Sequence, residues 1–387
     1  MNFLLKPEQK QLIESLKKSL ETFGDAYWMA CDNEAIFPSD FYKQMVKGGW
    51  LGITFPSKYG GSGLGISEAA LMMMEIAKKG GMTAASSIHM NIFSPSSIIK
   101  FGTDTQCKNW LPDIINGKSK VCFAVTEPNI GLNTRNIKTF ALKEKTNFTI
   151  NGKKIWTSTA QIADKLMILA RTSEKSQYKN SNEGLSLFYT NYDRSCIETK
   201  IIKKMGRESI DSNMLFIDNL KVSQEDLIGN EGEGFKYILH SLNPERILVA
   251  AEAIGIAESA LNRAANYANE RIVFDRPIGM NQSIQHPLAE CWAKIESAKL
   301  LIFKAAYLYD NNKPCGLEAN AAKYLSAEIA LSTCQQAMAT LGGMGYAKEF
   351  HVERLFRESM IPYLAPVSQQ LALCYLAERA LGLPKSY

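Results

Sequence analysis

Apolar residues recur at helical spacing from Pro7 to about Asn116, as in FYKQMVKGGWLGI and SEAALMMMEIAKKG, with turn signals at Gly60 to Gly65 and Thr103 to Thr105. This predicts an N-terminal helical domain over 1–118, opening with an amphipathic helix in MNFLLKPEQKQLIESLKKSL. From roughly Val121 to Gln224 the pattern changes to short β-branched and aromatic runs, VCFAVT, NFTING, LMILART, LSLFYT and MLFIDNLKV, separated by Asn, Gly and charged turns. These predict a β domain over 119–228, an antiparallel barrel or a sandwich. After the glycine-rich GNEGEG the helical period returns over 244–271, 281–310, 317–341 and about 367–381, which predicts a four-helix bundle in 229–387. The expected fold is α+β and multidomain, in the order helical domain, β-barrel, helical bundle.

A length of 387 residues suits two or three domains, and 46% hydrophobic with 21% charged residues is ordinary for globular chains. The net charge of +5 does not gather into a stripe, because Lys and Arg alternate with Asp and Glu along most helices; a nucleic-acid partner is not expected. No run approaches 18 apolar residues and the first residues do not read as a signal peptide, so the expectation is a cytoplasmic protein with no membrane insertion. Eight cysteines stand singly without a CxxC pair, and four histidines make no HxxxH group, which argues against metal chemistry and a disulfide framework.

Two glycine clusters raise the question of a nucleotide. The first, YGGSGLG at 59–65, follows Pro56-Ser57-Lys58 rather than a strand and reads as a turn. The second, LGGMGY at 341–346, lies between two helices, either as an inter-helix turn or as bare backbone that a phosphate could approach. In the β domain Phe123-Ala124-Val125-Thr126-Glu127-Pro128 ends a strand, and Trp156, Thr157 and Ser158 follow thirty residues on. An apolar wall, strand-end backbone donors and hydroxyls are what a flavin ring needs; a buried Trp with surface hydroxyls is the plain alternative.

Taken together, these segments resemble the acyl-CoA dehydrogenase family over nearly the whole chain and in the right order. FAVTEPNIGLNT resembles the family's flavin loop, KKIWTS its flavin strand, and ERIVFDRPIGMNQSIQHPLAE and TLGGMGYAKEFHVERLFRE the segments that reach the FAD of a neighbouring subunit. The resemblance implies FAD as cofactor, an acyl-CoA substrate, an electron-transfer flavoprotein as acceptor and a homotetramer. By position it implies that Phe123, Val125, Thr126, Gly131 and Leu132 line the flavin loop, with Trp156 and Thr157 at the ring and Ser158 near its N5. Arg271, Phe274, Gln282, Gly342 and Gly343 would hold an adjacent subunit's FAD, with Ser368 and Gln370 as further contacts. Leu132 replaces a serine, Val273 a threonine, and Ala339 sits where glutamine is frequent, so each removes a polar contact.

The chemistry implied is α,β-dehydrogenation, in which a carboxylate takes the α-proton while the β-hydride leaves to the flavin. The C-terminal segment where many relatives carry that glutamate reads Tyr363-Leu364-Ala365-Pro366-Val367-Ser368, with no acid. A branch that includes isovaleryl- and long-chain-type enzymes places it instead in a segment like LNPERILVA, which points to Glu245 as the base. Read without the resemblance, Asn243 is an N-cap, Pro244 suits the first helical position, and Glu245 is a first-turn acid. Leu132, Asn243 and Arg246 are expected at the substrate. Ala365, rather than Pro366, is expected to offer the thioester oxygen a backbone N–H, since proline has none. A catalytically silent flavin or acyl-CoA-binding scaffold, and a flavoenzyme running enoyl-CoA reduction or oxygen-dependent oxidation, are the rival readings.

Overall fold

The computed structural model describes residues 4–173 and 183–386. Helix α1 (Pro7–Leu20) starts on a proline, whose missing N–H costs nothing at a helix start, and buries Leu16 and Leu20; positions 1–3 of the expected first helix lie outside the described residues. α2 (Asp25–Glu34), α3 (Ser39–Lys47), the long α4 (Ile66–Phe93), α5 (Ser96–Phe101) and α6 (Asp104–Ile115) complete the first domain. The glycines at 60–65 form a turn, with Gly60 and Gly63 at positive φ. At the N-terminus of α4 the amides of Ile66 and Ser67 donate to the Asp310 carboxylate at 2.7 and 3.0 Å. A helix start already filled by a carboxylate leaves no phosphate cradle there.

The β domain holds β1 (Val121–Ala124), β2 (Phe140–Glu144), β3 (Asn147–Ser158), β4 (Lys165–Arg171), β5 (Leu185–Asn191), β6 (Ile197–Ile201) and β7 (Ser212–Ser223). They form one half-barrel sheet in the order β1-β4-β2-β3-β7-β6, with β5 on β4. The sheet is mixed rather than antiparallel: β1 and β2 run parallel to β4. Alternation of side chains reports which face is buried but not strand sense, and β1 enters from a helix with no hairpin to fix its direction.

The last third holds α7 (Gly234–Glu270), the hairpin β8 (Ile272–Val273) and β9 (Arg276–Pro277), α8 (Gln282–Asp310), α9 (Gly316–Leu341), a short α10 (Gly343–Tyr346), α11 (Val352–Leu364) and α12 (Gln369–Ala380). Two expectations need correction. α7 begins at residue 234, ten residues before the expected start, so Asn243 and Pro244 are interior and cap nothing. Tyr237, Ile238 and Ser241 continue the buried face upstream of the proline, and that burial keeps the backbone helical through it. The second concerns α11, which was not expected as a helix: Val352 and Leu355 enter the core shared with α4 and α9, while the 367–381 segment forms the separate α12. Small residues let the long helices approach closely, with Ala250, Ala253 and Ala257 facing Ala298, Ala305, Ala319 and Ala322 in one apolar cluster. Ile66, Ala70 and Met74 of α4 join that cluster, which binds the two helical domains together. Among the described residues no helix is long and apolar enough to cross a membrane, and no group of metal-ligating side chains occurs.

Candidate active site

One candidate cluster lies on β3 of the half-barrel. Between Lys154 and Thr157 the pairing of β3 with β7 slips by a residue, and Trp156 sits in that bulge at φ 60°. A bulge re-aims a side chain, and a left-handed non-glycine residue costs on the order of 1 kcal/mol that the sheet must hold in place. The consequence is an indole 57% exposed in the single chain, next to a fully buried Thr157 whose Oγ1 has no hydrogen-bond partner. Ser158 Oγ accepts from Arg207 Nη2 at 3.2 Å, which leaves its own O–H free to donate.

The loop after β1 is fastened to this strand from beneath. Ile155 N–H donates to the Thr126 carbonyl at 2.9 Å, and the fully buried Lys154 Nζ donates to the Val125 carbonyl at 2.9 Å and to Glu127 Oε1 at 3.0 Å. The Glu127 carboxylate also accepts from the amides of Lys138 and Thr139 at 2.7 and 2.9 Å, so both ends of the loop converge on one side chain. Burial pushes Lys154 down to about 8, against the pull of Glu127. Burial also works to raise the Glu127 carboxyl, but Lys154 and the Thr139 and Lys138 hydrogen bonds outweigh it and hold it below its ordinary value. The loop's outer residues stay open: Leu132 is exposed, and nothing lies within 4 Å of where a Cβ on Gly131 would sit. An accessible indole, an unpartnered buried hydroxyl, strand-end backbone and an open glycine fit a flavin ring laid against Phe123, Val125, Thr126 and Trp156 to Ser158.

A second cluster lies where α4 packs on α7. Glu245 is buried in mid-helix, and its Oε2 has no hydrogen-bond partner. Burial drives its carboxyl up to about 7, against the lowering effect of His89 and Arg246. Glu245 is not the first-turn acid expected, since α7 starts eleven residues earlier at Gly234. Asn243, expected as a cap, instead accepts from Arg246 Nη1 at 3.0 Å through Oδ1 and so orients that guanidinium. From α4, His89 lies 5.0 Å ring to ring from Phe93, which meets Phe123 of β1 edge-on at 5.2 Å. This aromatic chain ties α4 to strand β1, which leads into the 125–139 loop.

Three further expectations meet the structure at the C-terminal segment. The Ala365 N–H is spent on the Ile361 carbonyl at 2.9 Å as the last turn of α11 closes, so it is not the free donor expected for the thioester. Ser368 caps α12, accepting from Leu371 N–H at 3.2 Å, while Gln370 is exposed beside it. The segment is anchored by the buried Lys323 of α9, which donates to the Val367 carbonyl and to Gln369 Oε1. Sequence reading passed over Lys323, as it did His89, Arg207 and the Lys154–Glu127 pair, although Lys154 and Glu127 stand inside the two quoted flavin segments.

Arg271, Phe274, Gln282, Gly342 and Gly343 lie on the surface of the single chain. Phe274 and Asp275, both at positive φ, make the two-residue turn of the β8–β9 hairpin, and this primed turn raises the Phe274 ring to 93% exposure. No atom lies within 4 Å of where a Cβ on Gly342 or Gly343 would sit.

Family profiles match the chain in the same three parts: the acyl-CoA dehydrogenase N-terminal domain at 6–118, middle domain at 122–220 and C-terminal domain at 232–366. The acyl-CoA dehydrogenase FadE12 of Mycobacterium tuberculosis strain H37Rv is 32% identical over 395 residues, spanning 100% of this chain and 99% of its own. The acryloyl-CoA reductase (NADH) of Anaerotignum propionicum is 34% identical over 364 residues, 93% of this chain and 91% of its own. Among solved structures, butyryl-CoA dehydrogenase from Megasphaera elsdenii superposes with a TM-score of 0.93 at 29% identity, over 99% of this chain and 100% of that one. With the three domains matched in order, and with residues that fit a flavin, the chain belongs to the acyl-CoA dehydrogenase family of flavin oxidoreductases, whose cofactor is FAD.

Proposed function

We propose that the protein removes the elements of H₂ from Cα and Cβ of an acyl-CoA thioester to give the trans-2-enoyl-CoA, with Glu245 as the base that takes the α-proton. The observation that carries this reading is the buried Glu245 carboxyl, one of whose oxygens has no protein partner, on α7 where it packs against α4, whose Phe93 meets Phe123 at the start of the proposed flavin loop. FAD, when bound, supplies the acceptor for the hydride from Cβ. The chain's own part is to enclose the acyl group between α4, α7 and the half-barrel, to exclude water, and to hold Glu245 where a proton can be transferred. A carboxyl lifted to about 7 is matched to that work, because it is part ionised at neutral pH yet basic enough to accept a proton.

The same property supports a second reading, favoured by the likeness to an acryloyl-CoA reductase. A carboxyl poised near neutrality can return a proton to Cα as readily as it takes one, so the same residues would serve enoyl-CoA reduction. Anaerobic mixing separates the two: saturated acyl-CoA bleaches oxidised enzyme in the first, whereas enoyl-CoA restores the colour of reduced enzyme much faster in the second. An electron-transfer flavoprotein is the acceptor we assign on family grounds, against oxygen as the alternative to be assayed.

The pH dependence follows from the base. Only ionised Glu245 accepts the proton, so the second-order rate of bleaching is expected to fall as pH drops through about 7, a value well above that of an ordinary carboxylate. A limb near pH 4.5, the ordinary glutamate value, would mean that a solvated carboxylate does the work.

We further infer a homotetramer in which Arg271, Phe274, Gln282, Gly342 and Gly343 complete a neighbour's FAD site. Support comes from the fully presented Phe274 and from Trp292, Leu300 and Tyr307, exposed apolar residues spaced along one face of α8. Replacing Phe274 with Asp is expected to shift the gel-filtration peak to smaller species and to loosen FAD by roughly tenfold or more, about 1.4 kcal/mol.

A further inference from the structure

Helices α4 and α7 carry a polar pair that a simple hydrocarbon pocket does not require. His89 Nδ1 lies 2.6 Å from Glu252 Oε1, and both side chains are buried. Glu252 stands seven residues after Glu245, two turns along the same face of α7, so His89 faces both acids across the seam. With Nδ1 committed to Glu252, the free ring nitrogen is Nε2, which is buried with no partner, as are Glu245 Oε2 and Glu252 Oε2. Three orphaned atoms on two packed helices are costly unless they serve the site they face.

We propose that His89, held and oriented by Glu252, is a positioning residue for the base: it keeps a positive charge opposite the Glu245 carboxyl and so sets the pH range in which that carboxyl can accept a proton. The inference rests on Glu245 being the base. The charged groups bearing on Glu245 are His89 from α4, Arg246 and Glu252 from α7, and Lys323 from α9. Those bearing on His89 are Glu252, Glu245 and Arg207. Burial works to lower His89, but Glu252, 2.6 Å from Nδ1, outweighs it and holds the imidazole above its ordinary value. Of the two partners, His89 acts on Glu245 more strongly, lowering it, than Glu252 does in raising it. The sign follows: removing the cation makes Glu245 harder to ionise and moves the acid limb to higher pH.

The test is the pH profile of anaerobic flavin bleaching by a saturated acyl-CoA in the FAD-loaded holoenzyme, with FAD content read from its absorbance. H89Q is expected to move the acid limb up by about 1 unit or more, as loss of a close opposite charge does. E252Q, which lets His89 become neutral while removing an anion, should move it less in the same direction. The double variant should place the limb below that of H89Q and near that of E252Q, because it removes the cation and the Glu252 anion together. A merely structural role would lower stability and leave the limb in place, so an unmoved limb in FAD-loaded H89Q overturns the proposal. If H89Q does not fold, an unmoved limb in E252Q does so instead. E245Q run in parallel keeps the two readings apart: if it bleaches like wild type the assignment of the base fails, whereas a silent E245Q with unmoved H89Q and E252Q limbs sinks only the role of His89.

Discussion

Replacing Glu245 with Gln is expected to lower the rate of flavin bleaching by saturated acyl-CoA by roughly 10²–10⁴-fold, the usual worth of a positioned base, while the protein stays yellow. It should also stabilise the fold at alkaline pH. The folded-state carboxyl is raised to about 7 from an ordinary value of 4.5, because burial disfavours the charged form. Ionising it therefore costs the native state on the order of 3 kcal/mol, a cost absent below about pH 4.5, growing between 4.5 and 7, and complete above 7. The amide carries no such cost, so E245Q should match wild type in thermal unfolding near pH 4.5 and exceed it at pH 8. Lost activity with a raised Tm is the signature of a residue kept for chemistry; a lowered Tm at both pH values would instead mark Glu245 as a structural group.

The second large effect is expected at Lys154. Its ammonium is fully buried and is the cation that Glu127 meets under the 125–139 loop. Truncation to Ala leaves the Glu127 carboxylate buried beside two backbone amides with its charge unpaired, a loss of about 3–5 kcal/mol. FAD retention should fall with it, because Lys154 and Glu127 tie residues 125–139 to β3 before any ligand arrives. Lys154→Met combined with Glu127→Gln removes both charges, and should recover much of the unfolding free energy without full FAD binding. Equal loss in the single and double variants, measured by denaturant titration, would contradict this account of the pair.

How much of this was legible in the sequence depends on the range of the interaction. The three-part order was visible because hydrophobic period is local, and Trp156 and Glu245 stood out within short motifs. The start of α7 was misread because Asn243-Pro244 has the chemistry of a helix beginning, and only burial of Tyr237, Ile238 and Ser241 reveals the helix running through it. α11 was overlooked because charged residues and Pro362 break its apolar stripe. The partners that tune the site were out of reach. His89 meets Glu252 across 163 residues and Arg207 meets Ser86 across 121, and no spacing rule connects positions that only the packing of α4 on α7 and on the barrel brings together. The donor expected from Ala365 failed for a local reason: its amide closes the last turn of α11.

The most direct test of the central claim is anaerobic addition of a panel of saturated acyl-CoA thioesters, varied in chain length and branching, to the purified FAD-loaded protein and its E245Q variant. The account predicts that at least one thioester bleaches the wild-type flavin with formation of the 2-enoyl-CoA and that none bleaches E245Q at a comparable rate. Bleaching of both proteins alike, or of neither by any member of the panel, would contradict it.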